Sequence, residues 1–122
     1  MRNLIKMYEL ARASEIIPVP VTVPSVRVEL NGAGPEAEAW LEQHLERRQV
    51  LNGLIRDYAV SKHLAWVDLF TATVDPETHQ LAGPYSNDGL HLTTAGYCLL
   101  ARLLYDRVFA KPGAGGQGGR MS

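Results

Sequence analysis

Residues 87–97 read NDGLHLTTAGY, with an aspartate, Asp88, three positions ahead of a histidine, His91. Both stand just before an apolar run of helical spacing. An imidazole that accepts a proton during a reaction needs a carboxylate to fix its tautomer and to stabilise the imidazolium. A tight turn across this separation can bring Asp88 back to His91 Nδ1, and Gly89 supplies the freedom in φ that such a turn asks for. The two residues are therefore a candidate acid–base pair. They also fit a plainer role, with the aspartate serving a helix start and the histidine solvated, and spacing alone leaves both readings open. His44, His63 and His79 show no ligand spacing, so no metal site is expected.

The elements that would position the pair follow from periodicity. Leu4, Ile5, Tyr8 and Leu10 or Ala11 recur at helical spacing over residues 3–12. The β-branched stretch EIIPVPVTVP predicts a short strand over 15–18, which Pro18, Pro20 and Pro24 turn into a loop because each lacks a ladder donor. NGAGP, residues 31–35, reads as a turn. Residues 36–63 carry Leu41, Leu45, Leu51, Leu54, Ile55 and Tyr58 near one face, as one long helix or as two with a break. Gly53 within it marks close packing or a bend. LAWVDLF, residues 64–70, reads as a buried strand, and helix alternating with strand implies a parallel α/β sheet. Residues 71–87 form a loop with a turn at VDPETHQ. The last helix runs over 94–109 with Thr93 as its N-cap and Leu100, Leu103, Leu104 and Val108 as its apolar stripe. The pair thus lies in the loop leaving the carboxyl end of a strand, where α/β sheets collect functional groups.

The composition sets outer bounds. A chain of 122 residues, 46% hydrophobic and 20% charged, fits one domain with a real core. A net charge of −1 creates no field that favours nucleic acid or an anionic membrane. No run of 18 apolar residues occurs, so no membrane span is expected. The first residues, MRNLIKMYELARA, are interrupted by Lys6, Glu9 and Arg12 and do not read as a signal peptide, which favours a cytoplasmic location. The single cysteine, Cys98, makes no internal disulfide and reads as a small core residue within the last helix. Gly-rich residues 111–122 read as a flexible tail, leaving 1–110 as the folded domain.

DGLHLTTAGY resembles the closing sequence block of the SGNH (GDSL-type) hydrolases, an aspartate and a histidine with two residues between them, followed by Ser or Thr and then Gly. Asp88, His91, Thr93, Gly96 and Tyr97 match it, and Leu92 stands where Pro is common. ASEIIPVPVTVP is similar to the family's penultimate strand, and RRQVLNGLIRDYAVSKHLAWVDLF to the helix and last strand before the final block, so the likeness covers residues 3–109. It implies the second half of a flavodoxin-like three-layer α/β/α fold with few parallel strands, completed by oligomerisation. It also implies ester hydrolysis through an acyl-enzyme, with His91 as general base and acid, Asp88 as its orienting partner, a small ester as substrate, and no cofactor.

The family's nucleophile block, Gly-Asp-Ser, and its oxyanion blocks have no counterpart in the sequence, so the chain reads as the C-terminal part of a larger hydrolase. Ser86 and Ser25 are the candidate substitutes for the nucleophile. Ser86 is nearest to His91 in sequence, although its context is not that of a strained strand–turn–helix elbow. Ser25 lies in the loop after the first strand. With only two strands, a parallel sheet is marginal and its open edge invites pairing, so a homo-oligomer or a complex with the absent N-terminal half is expected. The alternative is a catalytically weak or inactive oligomeric module that keeps this half of the fold. An unrelated flavodoxin-like binding domain, in which Asp88 and His91 are incidental, lacks support because no Gly-rich phosphate loop occurs in the sequence.

Overall fold

The computed structural model describes residues 1–29 and 33–110, so the predicted tail at 111–122 and the start of the turn at 31–35 lie outside the described residues. Among the described residues there are four α-helices: α1 (Arg2–Ala13), α2 (Pro35–Ser61), α3 (Leu69–Thr73) and α4 (Thr94–Leu104). α4 continues into a wide turn, Tyr105–Phe109, and a single 3₁₀ turn covers Gly83–Tyr85. α2 starts with Pro35 in its first turn, where a missing N–H costs nothing, and Glu36 and Glu38 beside it suit the positive end of the helix. It runs unbroken past Gly53. A Cβ at Gly53 would meet only Arg56 Nη2 at 3.9 Å, so neither a bend nor tight packing explains that glycine.

The expected strand over 15–18 is not formed. Glu15 takes a left-handed conformation with φ of 62°. The Ile16 N–H turns back to the Ala11 carbonyl at 2.8 Å, so these residues close α1 instead of entering a sheet. Ile16 and Ile17 are consequently exposed. The extended segment lies further on. Val21 and Val67 form a parallel bridge, with the Thr22 N–H donating to the Val67 carbonyl at 3.0 Å and the Val67 N–H to the Pro20 carbonyl at 2.9 Å. Continuing that ladder backwards needs an N–H at position 20, and proline has none, so the parallel pairing stops at one bridge. The second expected strand, 64–70, is cut short in turn. Asp68 caps α3, accepting from the Thr71 N–H at 3.2 Å, and carries Leu69 and Phe70 into the helix. The Thr22 hydroxyl joins the two segments, donating to Asp68 Oδ1 at 2.9 Å and accepting from the Phe70 N–H at 2.9 Å.

Among the described residues, the buried apolar side chains are Val26, Leu41, Ile55, Ala59, Val67, Leu69 and Leu81. Leu41, Ile55 and Ala59 come from α2, Leu69 from α3, and Val26, Val67 and Leu81 from the extended and bridged segments. Asn52 reaches from α2 to both backbone groups of Val23: Oδ1 accepts its N–H at 2.7 Å and Nδ2 donates to its carbonyl at 2.9 Å. A helix side chain here does the work of a neighbouring strand. α1 has no buried residue. It rests on α2 through Tyr8 stacked on Tyr58, with ring centroids 5.1 Å apart, and through the hydrogen bond from the Tyr58 hydroxyl to Glu9.

The loop expected over 71–87 has internal structure. α3 fills its start, and Val74 and Leu81 then form an antiparallel bridge around the turn at 75–80, where Asp75 Oδ1 accepts from the Glu77 N–H at 2.9 Å. At α4, the Thr93 hydroxyl accepts from the Gly96 N–H at 3.2 Å, as the sequence predicts for an N-cap. Cys98 is exposed on α4 and not in the core, because it falls outside the stripe formed by Leu100, Leu103 and Leu104. No helix among the described residues is long and apolar enough to cross a membrane.

Candidate functional site

The turn over residues 86–91 is built around the Asp88 carboxylate. Asp88 Oδ1 accepts from the Leu90 N–H at 2.9 Å and from the His91 N–H at 2.8 Å, which folds the chain around the carboxylate. Gly89 sits at φ +83°. A Cβ there would lie 2.1 Å from the Arg27 carbonyl oxygen, so both conformation and space demand glycine. The turn leaves Asp88 Oδ2 at 2.8 Å from His91 Nδ1.

Electrostatics follow from that geometry. The hydrogen bond from the His91 ring, followed by the amides of His91 and Leu90, holds the Asp88 carboxyl far below its usual 3.8. An ionised carboxylate at Nδ1 makes that nitrogen the proton-bearing one, and Nε2 is then the bare acceptor. No hydrogen bond from a described residue engages Nε2. The His91 side chain is 76% exposed and that of Asp88 56%, so the ring offers its free nitrogen outward.

Neither candidate serine is offered in the same way. Ser86 is buried and its hydroxyl is spent inside the turn. It donates to the His91 carbonyl at 2.6 Å, accepts from the Gly89 N–H at 2.9 Å and lies 3.2 Å from Asp88 Oδ1. Ser25 is also buried and donates to the His79 carbonyl at 2.7 Å. The structure thus brings Ser86 to the Asp88 side of the pair as a brace and keeps Ser25 away from it. Both hydroxyls would have to leave these bonds to meet an ester.

Sequence inspection passed over Arg27. Its Nη1 donates to the Leu81 carbonyl at 3.1 Å, and its Nη2 donates to the carbonyls of Ser86 at 2.9 Å and Asn87 at 3.2 Å. Its own N–H donates to the Gly89 carbonyl at 2.9 Å. The one signal available was an arginine set between Val26 and Val28 in an otherwise apolar stretch. On the other side of the turn, the Thr93 N–H bonds to the Tyr85 carbonyl at 2.9 Å and the Thr93 hydroxyl to that of Pro84 at 2.8 Å. A Cβ at Gly96 would stand 3.1 Å from the Tyr85 carbonyl oxygen, which explains the small residue there. No group of three or more His, Cys, Asp or Glu that could hold a metal occurs among the described residues. A separate cleft of about 230 Å³ lies between α2 and residues 66–71, lined by Gln49, Arg56, Trp66 and Phe70 among others, and neither Asp88 nor His91 borders it.

The fold is that of part of a GDSL-type hydrolase. In structure the chain is similar to a GDSL-like lipase of Bacteroides thetaiotaomicron, with 26% sequence identity and a TM-score of 0.70 over 85% of this chain and 48% of that one. It is similar as well to a provisionally assigned acylhydrolase of Bacteroides fragilis, with 24% identity and a TM-score of 0.70 over 85% of this chain and 47% of that one. The chain therefore spans about half the length of the solved structures that it matches. No protein-family model matches it, and no curated protein matches it in sequence.

Proposed function

We propose that this chain carries the acid–base half of a carboxylic ester hydrolase working through a Ser-His-Asp acyl-enzyme mechanism. The observation that carries the reading is the 2.8 Å contact of Asp88 Oδ2 with His91 Nδ1 on a ring whose Nε2 is free and exposed. In this reading His91 Nε2 takes the proton of a serine hydroxyl as its oxygen attacks the ester carbonyl. Collapse of the tetrahedral adduct breaks the bond to the alkoxy group, and His91 returns the proton to the departing alcohol. Water then attacks the acyl-enzyme with the same base, releasing the acid and restoring the serine. Asp88 stays ionised throughout and steadies the imidazolium. Residues 1–110 act as one unit, and the substrate is a small ester.

The buried state of Ser25 and Ser86 supports a nucleophile and oxyanion donors that come from the other half of such a fold. One oxyanion donor is typically worth about 10²–10³ in rate. Triad members act as a unit, so the pair alone is a poor catalyst. The purified chain should accordingly turn over a short acyl ester only slowly, and a fluorophosphonate probe should label no serine in it. Rapid hydrolysis abolished by His91→Ala, together with labelling of Ser25 or Ser86, would place the nucleophile in this chain and overturn that division.

A second reading, a non-catalytic oligomeric module, draws on the segment before Val23. Val19 and Val21 point their backbone groups away from Val67, and no described residue bonds them. Ile16 and Ile17 stand exposed beside this edge, 61% and 79%. An open strand edge flanked by apolar side chains favours pairing with another polypeptide. Sedimentation across a concentration series should show self-association, and a monomer at all concentrations would sink this reading.

A further inference from the structure

We propose that Arg27 is the positioning residue of the Asp88–His91 pair: its guanidinium gathers the carbonyls of Leu81, Ser86 and Asn87, and its own N–H takes that of Gly89, so that the turn delivers the carboxylate to His91 Nδ1. The three side-chain bonds are 3.1, 2.9 and 3.2 Å long and the backbone bond is 2.9 Å. Two of the acceptors, on Ser86 and Asn87, immediately precede Asp88, and the Gly89 carbonyl immediately follows it. The carboxylate is thus pinned on both sides in the chain by one residue from the distant extended segment. A planar guanidinium presents several donors in fixed directions, so it can hold converging carbonyls that an ammonium on a flexible stem cannot hold together.

The turn's own bonds do not replace this clamp. The amides of Leu90 and His91 curl the backbone around Asp88 Oδ1, but they leave the carbonyls of Ser86, Asn87 and Gly89, whose peptide units set the direction of the Asp88 side chain, to Arg27. Arg27 ties those units to the chain that follows the Val21–Val67 bridge. The close approach of Gly89 to the Arg27 carbonyl belongs to the same seam. Arg27 touches neither the His91 ring nor any group placed to react, so it acts through Asp88.

The inference concerns the geometry of the pair and holds whether or not the pair serves an ester hydrolase. Its test therefore needs no turnover. Nitrogen-15 NMR of the histidine rings reports which nitrogen bears the proton, and the deshielded Nδ1 proton reports the bond to the carboxylate. Wild-type protein should show His91 as the Nδ1–H tautomer with that proton visible, and Asp88→Asn should lose both. Arg27→Met should lose the Nδ1 proton signal and shift the ring towards Nε2–H while the remainder of the spectrum stays folded. Arg27→Lys, which keeps the charge and most of the stem, should fold and show a partial shift, so the proposal remains testable if Arg27→Met does not fold. An Arg27→Lys protein with the wild-type tautomer and an undiminished Nδ1 proton, with only a lowered melting temperature, would make Arg27 a structural residue and overturn the proposal. Failure of ester hydrolysis in a separate assay would leave these signals unchanged and would bear on the hydrolase reading alone.

Discussion

The two ends of the Val19–Val28 segment are treated very differently by the rest of the chain. From Val26 onward, backbone and side-chain bonds tie it to Leu81, Ser86, Asn87 and Gly89, and the Asp88–His91 turn is fixed from several directions. Before Val23, one edge meets Val67 at a single bridge and the other makes no backbone hydrogen bond to a described residue, with Ile16 and Ile17 left in solvent. The difference separates two properties that a whole enzyme would join. The geometry of an acid–base pair is completed by local turns and one long arginine, whereas a parallel sheet needs neighbours that local sequence cannot provide. A chain that matches about half the length of a GDSL-like structure can therefore hold the Asp88–His91 contact in order while its parallel pairing ends at one bridge.

That contrast can be attacked first at its tightest point. Gly89→Ala must resolve a Cβ set 2.1 Å from the Arg27 carbonyl at a positive φ, and should cost about 4 kcal/mol or more in denaturant unfolding. A loss below 1 kcal/mol would mean that the turn is not fixed against the extended segment. Asn52→Ala leaves the part-buried N–H and carbonyl of Val23 without these partners and should cost about 1–3 kcal/mol by the same measurement. That loss would show that the open side depends on a helix side chain in place of a strand. Thr93→Ala removes the α4 cap and should cost about 1 kcal/mol, read as a lowered melting temperature.

Acid provides a gentler probe. The folded-state value of Asp88 is depressed, so its contribution is present above the ordinary carboxylate value and is lost as the pH falls through the depressed one. Wild-type protein should therefore lose melting temperature faster than Asp88→Asn between about pH 4 and pH 2, and parallel curves would contradict the pairing. The smallest effect belongs to the open side. Ile17→Ser at a 79% exposed position should change monomer stability by less than about 0.5 kcal/mol, yet weaken self-association in sedimentation if that face is an interface.

What was legible in the sequence follows the range of the interactions. α1, α2 and α4 are written in apolar spacing, and the Thr93 cap in a residue adjacent to its helix. Asp88 and His91 could be paired because three residues and a glycine suffice to close the turn. The strands were misplaced because the β-branched Ile16 and Ile17 signal extension, while the turn at Glu15 spends them on closing α1. α3 was hidden because Asp68 caps a helix in the middle of a run that reads as strand. Arg27 escaped notice because its partners stand 54 to 60 positions away, beyond any local pattern. Cys98 was placed inside because its apolar surroundings in sequence do not say which side of α4 faces the core.

The most direct test of the central claim is a chimera joining this chain to the portion of the Bacteroides thetaiotaomicron GDSL-like lipase that it does not match, assayed on a short acyl ester. The account predicts hydrolysis that falls by about 10³-fold or more with either His91→Ala or Asp88→Asn, as expected for members of one triad. A folded chimera that is inactive, or one whose rate ignores the loss of His91, would contradict it.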